Sequence, residues 1–400
     1  MPAPSSLHLM TGATGFVGAA LALELLASSN DQLVCIVRAE GVGAARTEAA
    51  QQRLHALLQR LVAAYDYPPV LAAQIPLRVR ALPGDVSQPL CGLAQADIDA
   101  LQGAAFWHAA ASLRYEDRHA KEIFATNVEG GRHAIALASA LGASEFNAIS
   151  TAYVCGNRNG VIEEARRPPQ GVNNLYEQSK IDYEGMLHQP LPFAVRIFRP
   201  SIVIGHSRTH AAMNFSGMYG FIRQLHAFRR MLQRTQPGLL EREPLRLRAD
   251  VGTVLDLVPV DKVVQAAVQF RQATAIGSNN APQPGQPLVF HLNNPTPPLL
   301  DEVLAVIFDL CELPMPELLR SDADKTRMRW LDEKFNQRIE FYRAQFYGRK
   351  IFARQQAARF LPHEEMDGYR LDAPRLRAFC SWYLQALETE LAATARPSLR

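Results

Sequence analysis

Along the first 205 residues, short unbroken apolar runs alternate with longer stretches of mixed polarity. Leu7 to Met10, Leu33 to Val37, Leu77 to Leu82, Ala104 to Trp107, Phe146 to Ser150 and Phe193 to Phe198 each read as a strand. A continuous run such as Leu-Val-Cys-Ile-Val suits a strand buried on both faces of a parallel sheet. Between them, Ala19 to Leu26, about Ala44 to Tyr65, about Lys121 to Leu141 and a segment opening at Asn174 read as helices. Strand and helix in strict alternation predict a doubly wound parallel sheet. The rhythm stops at Gly205. Met213 to Gln233 then reads as an amphipathic helix, and Thr235 to Asp250 as a charged, proline-bearing loop with the makings of a lid. Val258 starts a further helix with Asp261 as its cap. Gly277 to Pro287 reads as a flexible loop, and Leu300 to Cys311 as a helix behind Pro297-Pro298. From there to about Thr394 the pattern is helical and rich in aromatics, including Trp330, Phe335, Phe341, Tyr342, Phe346, Tyr347 and Phe352. These side chains suit either packing or the wall of a long apolar pocket.

Four hundred residues exceed what one core usually serves, so two units are expected. Residues 1–205 form the sheet domain, with about 251–275 returning to it; residues 206–400 form a smaller, mainly helical domain for a substrate. A hydrophobic content of 48% with 20% charged residues is that of a soluble globular chain. A net charge of +3 gives no case for nucleic acid. The five cysteines are dispersed without a Cys-x-x-Cys pair, which suits a reducing compartment. The opening Met-Pro-Ala-Pro-Ser-Ser lacks the basic and apolar regions of a secretion signal. No apolar run approaches the roughly 20 residues of a membrane helix. A cytoplasmic setting is expected. The histidines lack ligand spacing, and no metal site is expected.

The candidate chemistry starts at Thr11-Gly12-Ala13-Thr14-Gly15-Phe16-Val17-Gly18, set between the first strand and the first helix. In that context Gly12 allows a tight turn, Gly15 lets backbone approach a pyrophosphate, and Gly18 lets helix and strand pack closely. The helix start offers free N–H groups to phosphates. Thr14, Phe16 and Val17 belong to the same cofactor-binding turn. The alternative is a glycine-rich turn with no ligand. Arg38 ends the second strand, where an arginine accommodates the 2′-phosphate of NADP and an acidic residue would favour NAD. NADPH is therefore the expected cofactor. Arg46 is a second cation for that phosphate or a charge on a solvated helix. Asp85, with Val86, falls where the adenine edge would lie, and reads equally as a turn aspartate. The small residues Ala109, Ala110 and Ala111 let the chain pass beneath the cofactor, while His108 reads as structural. Asn127 either orients catalytic residues or is a buried, satisfied amide. Tyr176 and Lys180, four apart, share one helical face. With a hydroxyl at the end of the preceding strand they form an acid–base unit, in which the ammonium lowers the phenol's pKa. Pro200 and Ile202 follow the sixth strand, beside the expected nicotinamide. Arg229, Arg230 and Arg234 would attract a phosphate-bearing substrate arm or simply face solvent.

Together these motifs resemble the extended short-chain dehydrogenase/reductase superfamily. Within it the chain is most similar to the fatty acyl-CoA reductases, the "male sterility" group, and to thioester reductase domains. The resemblance rests on Thr11 to Gly18, Cys35-Ile-Val-Arg38, His108 to Ala111, Thr126-Asn-Val128, Ser150-Thr-Ala-Tyr-Val-Cys-Gly156, Tyr176 to Lys180 and Arg199 to Gly205. It covers residues 5–205 and 255–312 and fades after 320. It implies a Rossmann-type fold, Thr151 as the hydroxyl member, Tyr176 as proton donor and Lys180 as its partner, with Ser150 facing the nicotinamide. The implied activity is NADPH-dependent reduction of an acyl thioester, carried by coenzyme A or a carrier protein, to the aldehyde, a second hydride giving the alcohol. The same triad serves hydroxysteroid dehydrogenases and sugar epimerases, so another carbonyl is the main alternative. A non-catalytic NADP-binding regulator is a further one, against which the retained Tyr176 and Lys180 argue.

Overall fold

The computed structural model describes residues 6–213, 215, 217–320, 327–361 and 369–395. Its main sheet has seven parallel strands: β1 (Leu7–Thr11), β2 (Gln32–Val37), β3 (Val79–Pro83), β4 (Ala105–His108), β5 (Glu145–Ile149), β6 (Ala194–Pro200) and β7 (Leu288–Leu292). Their order is β7-β6-β5-β4-β1-β2-β3. The chain winds from β1 toward one edge and returns at β4 to wind toward the other. Between the ends of β1 and β4 lies the crevice where such sheets bind ligands.

Helices Phe16–Ser28, Gly43–Ala64, Pro69–Arg78 and Val260–Ala273 supply the core on one face, through residues such as Leu21, Leu54, Ile75 and Val264. The opposite face is covered by Leu101, Leu137, Tyr183 and Leu187 among others. A third cluster joins helices Met218–Thr235, Leu300–Leu310 and Ala373–Ala395 through Leu225, Leu304, Phe379 and Tyr383.

Several elements depart from the sequence expectations. The third strand starts at Val79, because Leu77 ends the helix Pro69–Arg78 with 77% of its surface exposed. The predicted helix over 121–141 is interrupted by a π-helical turn, Ala125–Glu129. β7 completes the sheet from within the half expected to be mainly helical. Residues 235–250 are no lid. They contain the helix Leu239–Arg242 and the strand Arg246–Arg248, which pairs in parallel with Glu317–Leu319. The Asp332 and Asn336 side chains accept the Arg246 and Arg248 backbone N–H groups at 2.9 and 3.0 Å and staple that strand down. The region after 312 also holds the strand Lys350–Phe352, paired with Gly160–Ile162. Asp261 lies inside the first turn of its helix, whose cap is Pro259; its carboxylate instead accepts the Ser207 N–H and hydroxyl at 2.7 and 2.6 Å.

Candidate active site

β1 leads into a turn that only glycine can close. Gly12 has φ +80°, and a Cβ there would sit 2.4 Å from the Ala110 nitrogen. A Cβ on Gly18 would sit 2.2 Å from the Gly12 oxygen. These two glycines let the turn press against the Ala109–Ala110 backbone and the helix against the turn. Gly15 differs: it is exposed, and its missing Cβ keeps the space above the turn clear. Gly15 is also the N-cap of the helix Phe16–Ser28, with no side chain capping it. That leaves the first N–H groups free for an anion. Gly15 to Gly18, Ala109 and Ala111 all stand on the wall of one cavity of about 490 Å³.

The other wall comes from the ends of β5 and β6 and from the helix Leu175–Leu187. Asn174 caps that helix, its side-chain oxygen accepting the Glu177 N–H at 2.9 Å. Tyr176 and Lys180 consequently face the cavity together with Ser150 and Thr151. The Lys180 ammonium donates to the Ile149 carbonyl at 3.1 Å. The Thr151 hydroxyl donates to the Pro200 carbonyl at 3.5 Å and accepts the Tyr153 N–H at 3.3 Å, beside Tyr176. The Ser150 hydroxyl is buried and has no protein partner. Pro200 and Ile202 complete this wall.

The electrostatics differ from the spacing argument. Burial pushes the Tyr176 phenol up, Glu177 adds to this, and the Thr151 hydroxyl works against it. Burial also pushes the Lys180 ammonium down to about 8. Activity of the free enzyme should therefore fall as pH rises through about 8, where Lys180 loses its charge. The sign excludes unfolding as the cause. A lysine whose folded pKa is depressed releases its proton before the unfolded chain does, so stability rises between about 8 and 10.5. A pH–rate profile run beside thermal melts checks this; a flat kcat/KM across pH 8 would contradict it.

Asn127 is both buried and engaged with the helix that bears Tyr176 and Lys180. From the π-helical turn its amide donates to the Ser179 hydroxyl at 2.9 Å and to the Ser112 carbonyl at 3.1 Å. Its oxygen accepts the Ser112 N–H at 2.7 Å. Ser179 in turn donates to the Tyr176 carbonyl. Asn127 thus ties the chain after β4 to the helix bearing Tyr176, without reaching the cavity wall. His108 is structural: it bonds Thr11 Oγ1 at 2.7 Å, and burial pushes it down to about 3, so it stays neutral.

Other expected cofactor residues lie farther along the carboxyl edge of the sheet. Arg38 is exposed just beyond β2. Arg46 bonds the Ala39 carbonyl at 3.1 Å. The Asp85 carboxylate accepts the Ser87 N–H at 2.9 Å, as a turn aspartate does. Val86 gives its carbonyl to His133 and packs its side chain near Gly130. Thr14 is half-buried in the glycine turn. Arg229 pairs with Glu312 at 2.8 Å, and Arg230 and Arg234 are exposed on the helix beyond its cavity-lining residues. Arg230 and Arg234 form a solvated face, while Arg229 is half-buried in its ion pair.

Sequence reasoning missed much of the wall. Tyr153, Asn174, Glu177 and Ser201 line the catalytic half. Met218, Phe221, Leu257 and the helix Leu300–Leu310 line the other, joined by Phe341, Tyr342 and Phe346 of the aromatic tail. The signal available was the spacing of Leu300, Val303, Leu304 and Ile307, one face of a helix. Among the described residues no cluster of side chains could hold a metal ion, and no helix is long and apolar enough to cross a membrane.

Residues 10–267 match the family model described as Male sterility protein. The chain belongs to the male sterility family. The family places it among the NAD-binding oxidoreductases of the extended short-chain dehydrogenase/reductase type, as the glycine turn and sheet order require. Over 347 residues it is 26% identical to a linear gramicidin synthase chain of Brevibacillus parabrevis, covering 83% of this chain and 6% of that one. Over 318 residues it is 23% identical to human fatty acyl-CoA reductase 2, covering 72% and 57%. The chain thus spans only part of these relatives. In structure it resembles the terminal R domain from the myxalamid PKS-NRPS biosynthetic pathway, with TM-score 0.72 and 21% identity over 96% of this chain and 92% of that one. It also resembles UDP-glucuronic acid 4-epimerase from Bacillus cereus, with TM-score 0.60 and 16% identity over 95% and 99%. The fold is therefore common to family members and to a sugar-nucleotide enzyme, and the site must decide between them.

Proposed function

We propose that this chain reduces an acyl thioester with NADPH, releasing the aldehyde and a thiol, a second reduction giving the alcohol. The observation that carries this reading is one continuous cavity. It joins Ser150, Thr151, Tyr176 and Lys180 to a wall of aliphatic and aromatic side chains. A sugar nucleotide would meet few polar partners along that wall. In the proposed division of labour, residues 1–205 hold the cofactor, rejoined by 251–275, and 206–400 hold the acyl group.

The residues fit a nicotinamide dinucleotide. The uncapped helix start at Gly15 suits its pyrophosphate, and the unpartnered Ser150 hydroxyl supplies a polar contact in the catalytic half. When bound, the nicotinamide supplies hydride to the thioester carbon. The Thr151 and Tyr176 hydroxyls donate to the carbonyl oxygen as it gains charge. Tyr176 passes its proton to that oxygen. The charged Lys180 offsets the phenolate left behind. On collapse of the hemithioacetal its hydroxyl proton returns to the Tyr176 phenolate, the C–S bond breaks, and the departing thiolate takes a proton from water, leaving aldehyde and thiol. All five cysteines are buried free thiols, which supports a reducing, cytoplasmic setting.

Arg38, exposed beyond β2 with no acidic residue before Glu40, is the proposed partner of the 2′-phosphate. Arg38→Glu should raise KM for NADPH roughly 10- to 100-fold, the worth of one charge-assisted hydrogen bond. KM for NADH should not rise. Equal effects on the two cofactors would remove Arg38 from the site. The activity itself is tested with a panel of acyl-coenzyme A and acyl-carrier-protein thioesters, following NADPH oxidation. Turnover on thioesters supports the reading and ranks the carriers. Turnover confined to ketones or secondary alcohols would replace it with the other-carbonyl alternative.

A further inference from the structure

The cavity has two chemically different halves. The charged side chains on its wall, Glu177 and Lys180, both stand on the catalytic helix. The remote half is built on one stripe of the helix Leu300–Leu310: Leu300, Val303, Leu304 and Ile307. Met218 and Phe221 join it from the helix Met218–Thr235, with Phe341, Tyr342 and Phe346, and the polar side chain beside these last is the neutral Gln345.

Backbone contacts fix the near end of this arm. A Cβ on Gly217, just before Met218, would meet Ile202 Cγ2 at 2.9 Å. The Leu300 N–H donates to the Thr253 carbonyl at 2.8 Å, and the Leu255 N–H to the Pro298 carbonyl at 3.0 Å. Leu257 pairs in register with Ile202. Both helices therefore begin near the Ile202–Leu257 pair, and their later cavity-lining residues, Phe221 and Ile307, are taken as the far end of the arm. Ile307 is the last residue of its helix to touch the cavity. From Leu300 to Ile307 the helix covers two turns, about 10 Å of axis.

Resting on the thioester reading above, we infer that this arm measures a straight, uncharged alkyl chain of roughly eight carbons, given C–C bonds of about 1.5 Å, with Ile307 as the stop at its far end. Each methylene that enters leaves water for an apolar wall, worth about fourfold in kcat/KM. Carbons beyond Ile307 have no room. A charged terminal group loses its hydration and meets no opposite charge on this half of the wall.

The experiment offers straight-chain acyl-coenzyme A esters from short to long, in two-carbon steps, together with the matching free alkanals. The expected ladder rises about fourfold per methylene to an optimum near roughly eight carbons and then falls. Ile307→Ala moves the optimum longer by about two carbons; Val303→Phe moves it shorter. A terminal amino group costs at least roughly 100-fold. A flat ladder, an optimum that neither variant moves, or equal use of the amino-terminated chain overturns the assignment. Alkanals that give the ladder while thioesters are inert would sustain the arm and defeat the thioester reading. Thioesters that turn over with a flat ladder would do the reverse. Thermal melts confirm that both variants fold; should Ile307→Ala not fold, the wild-type ladder and Val303→Phe decide.

Discussion

Replacing Tyr176 by Phe will lower kcat by roughly 10²–10⁴-fold, the usual worth of a positioned general acid. The variant keeps the ring and loses one hydroxyl. The other side chains on that wall, Ser150, Thr151 and Lys180, remain in place on β5 and the catalytic helix. Cofactor affinity should therefore change by less than about tenfold, the scale of one hydrogen bond. Lys180 keeps one N–H on the Ile149 carbonyl and is assigned to charge balance, so a variant that retains it tests whether it can stand in as the acid. Thr151 can still hydrogen-bond the oxygen, but an aliphatic hydroxyl is a far weaker acid than a phenol. Single-turnover kinetics separate the chemical step from product release. A kcat within about threefold of wild type would mean that another group delivers the proton.

The second large effect is on stability. Arg199 and Glu184 form an ion pair at 2.6 Å with both side chains nearly excluded from solvent. Arg199 also donates to the Ala165 carbonyl at 3.2 Å. The pair fastens the catalytic helix to β6, directly before Pro200. Arg199→Met leaves the buried Glu184 carboxylate without its hydrogen-bonded ion-pair partner, and should cost about 3–5 kcal/mol of unfolding free energy. Adding Glu184→Leu removes the stranded charge and should recover most of that loss, because a buried pair is often worth little more than apolar residues of the same volume. Denaturant midpoints of the wild type, the two single variants and the double variant form the test. A single variant within about 1 kcal/mol of wild type would show that water reaches Glu184.

Most strands and the meeting of Tyr176 with Lys180 on one cavity wall were legible because their signals are local. A strand buried on both faces must be apolar at consecutive positions, so β2 announces itself through Leu33 to Val37. Tyr176 and Lys180 meet through helix spacing alone. β7 was not legible. Its run is broken by His291, whose burial depends on partners far along the chain: its N–H donates to Glu164 and its ring bonds the Ala353 carbonyl. Leu77 misled in the opposite direction, an apolar residue left in solvent at a helix end. Asp261 looked like a cap because its type suits one, but Ser207 claims the carboxylate. Of the apolar half of the cavity, the sequence offered only the aromatic tail as a possible wall. The full wall draws on residues near 217–221, 255–257, 300–307 and 341–346, brought together only by tertiary packing. The direction of the Tyr176 shift failed for a related reason: spacing reports neighbours, whereas burial, which dominates here, is a property of the folded chain.

The most direct test of the central claim is the stoichiometry of a limited turnover. Enzyme, NADPH and an acyl-coenzyme A ester are mixed, and NADPH consumed and free thiol released are measured in the same sample. Thioester reduction predicts one thiol for each NADPH in the first reduction, and one for every two where the aldehyde goes on to the alcohol. NADPH oxidised without thiol release, or only on addition of a ketone, would contradict the account and leave a dehydrogenase of another carbonyl.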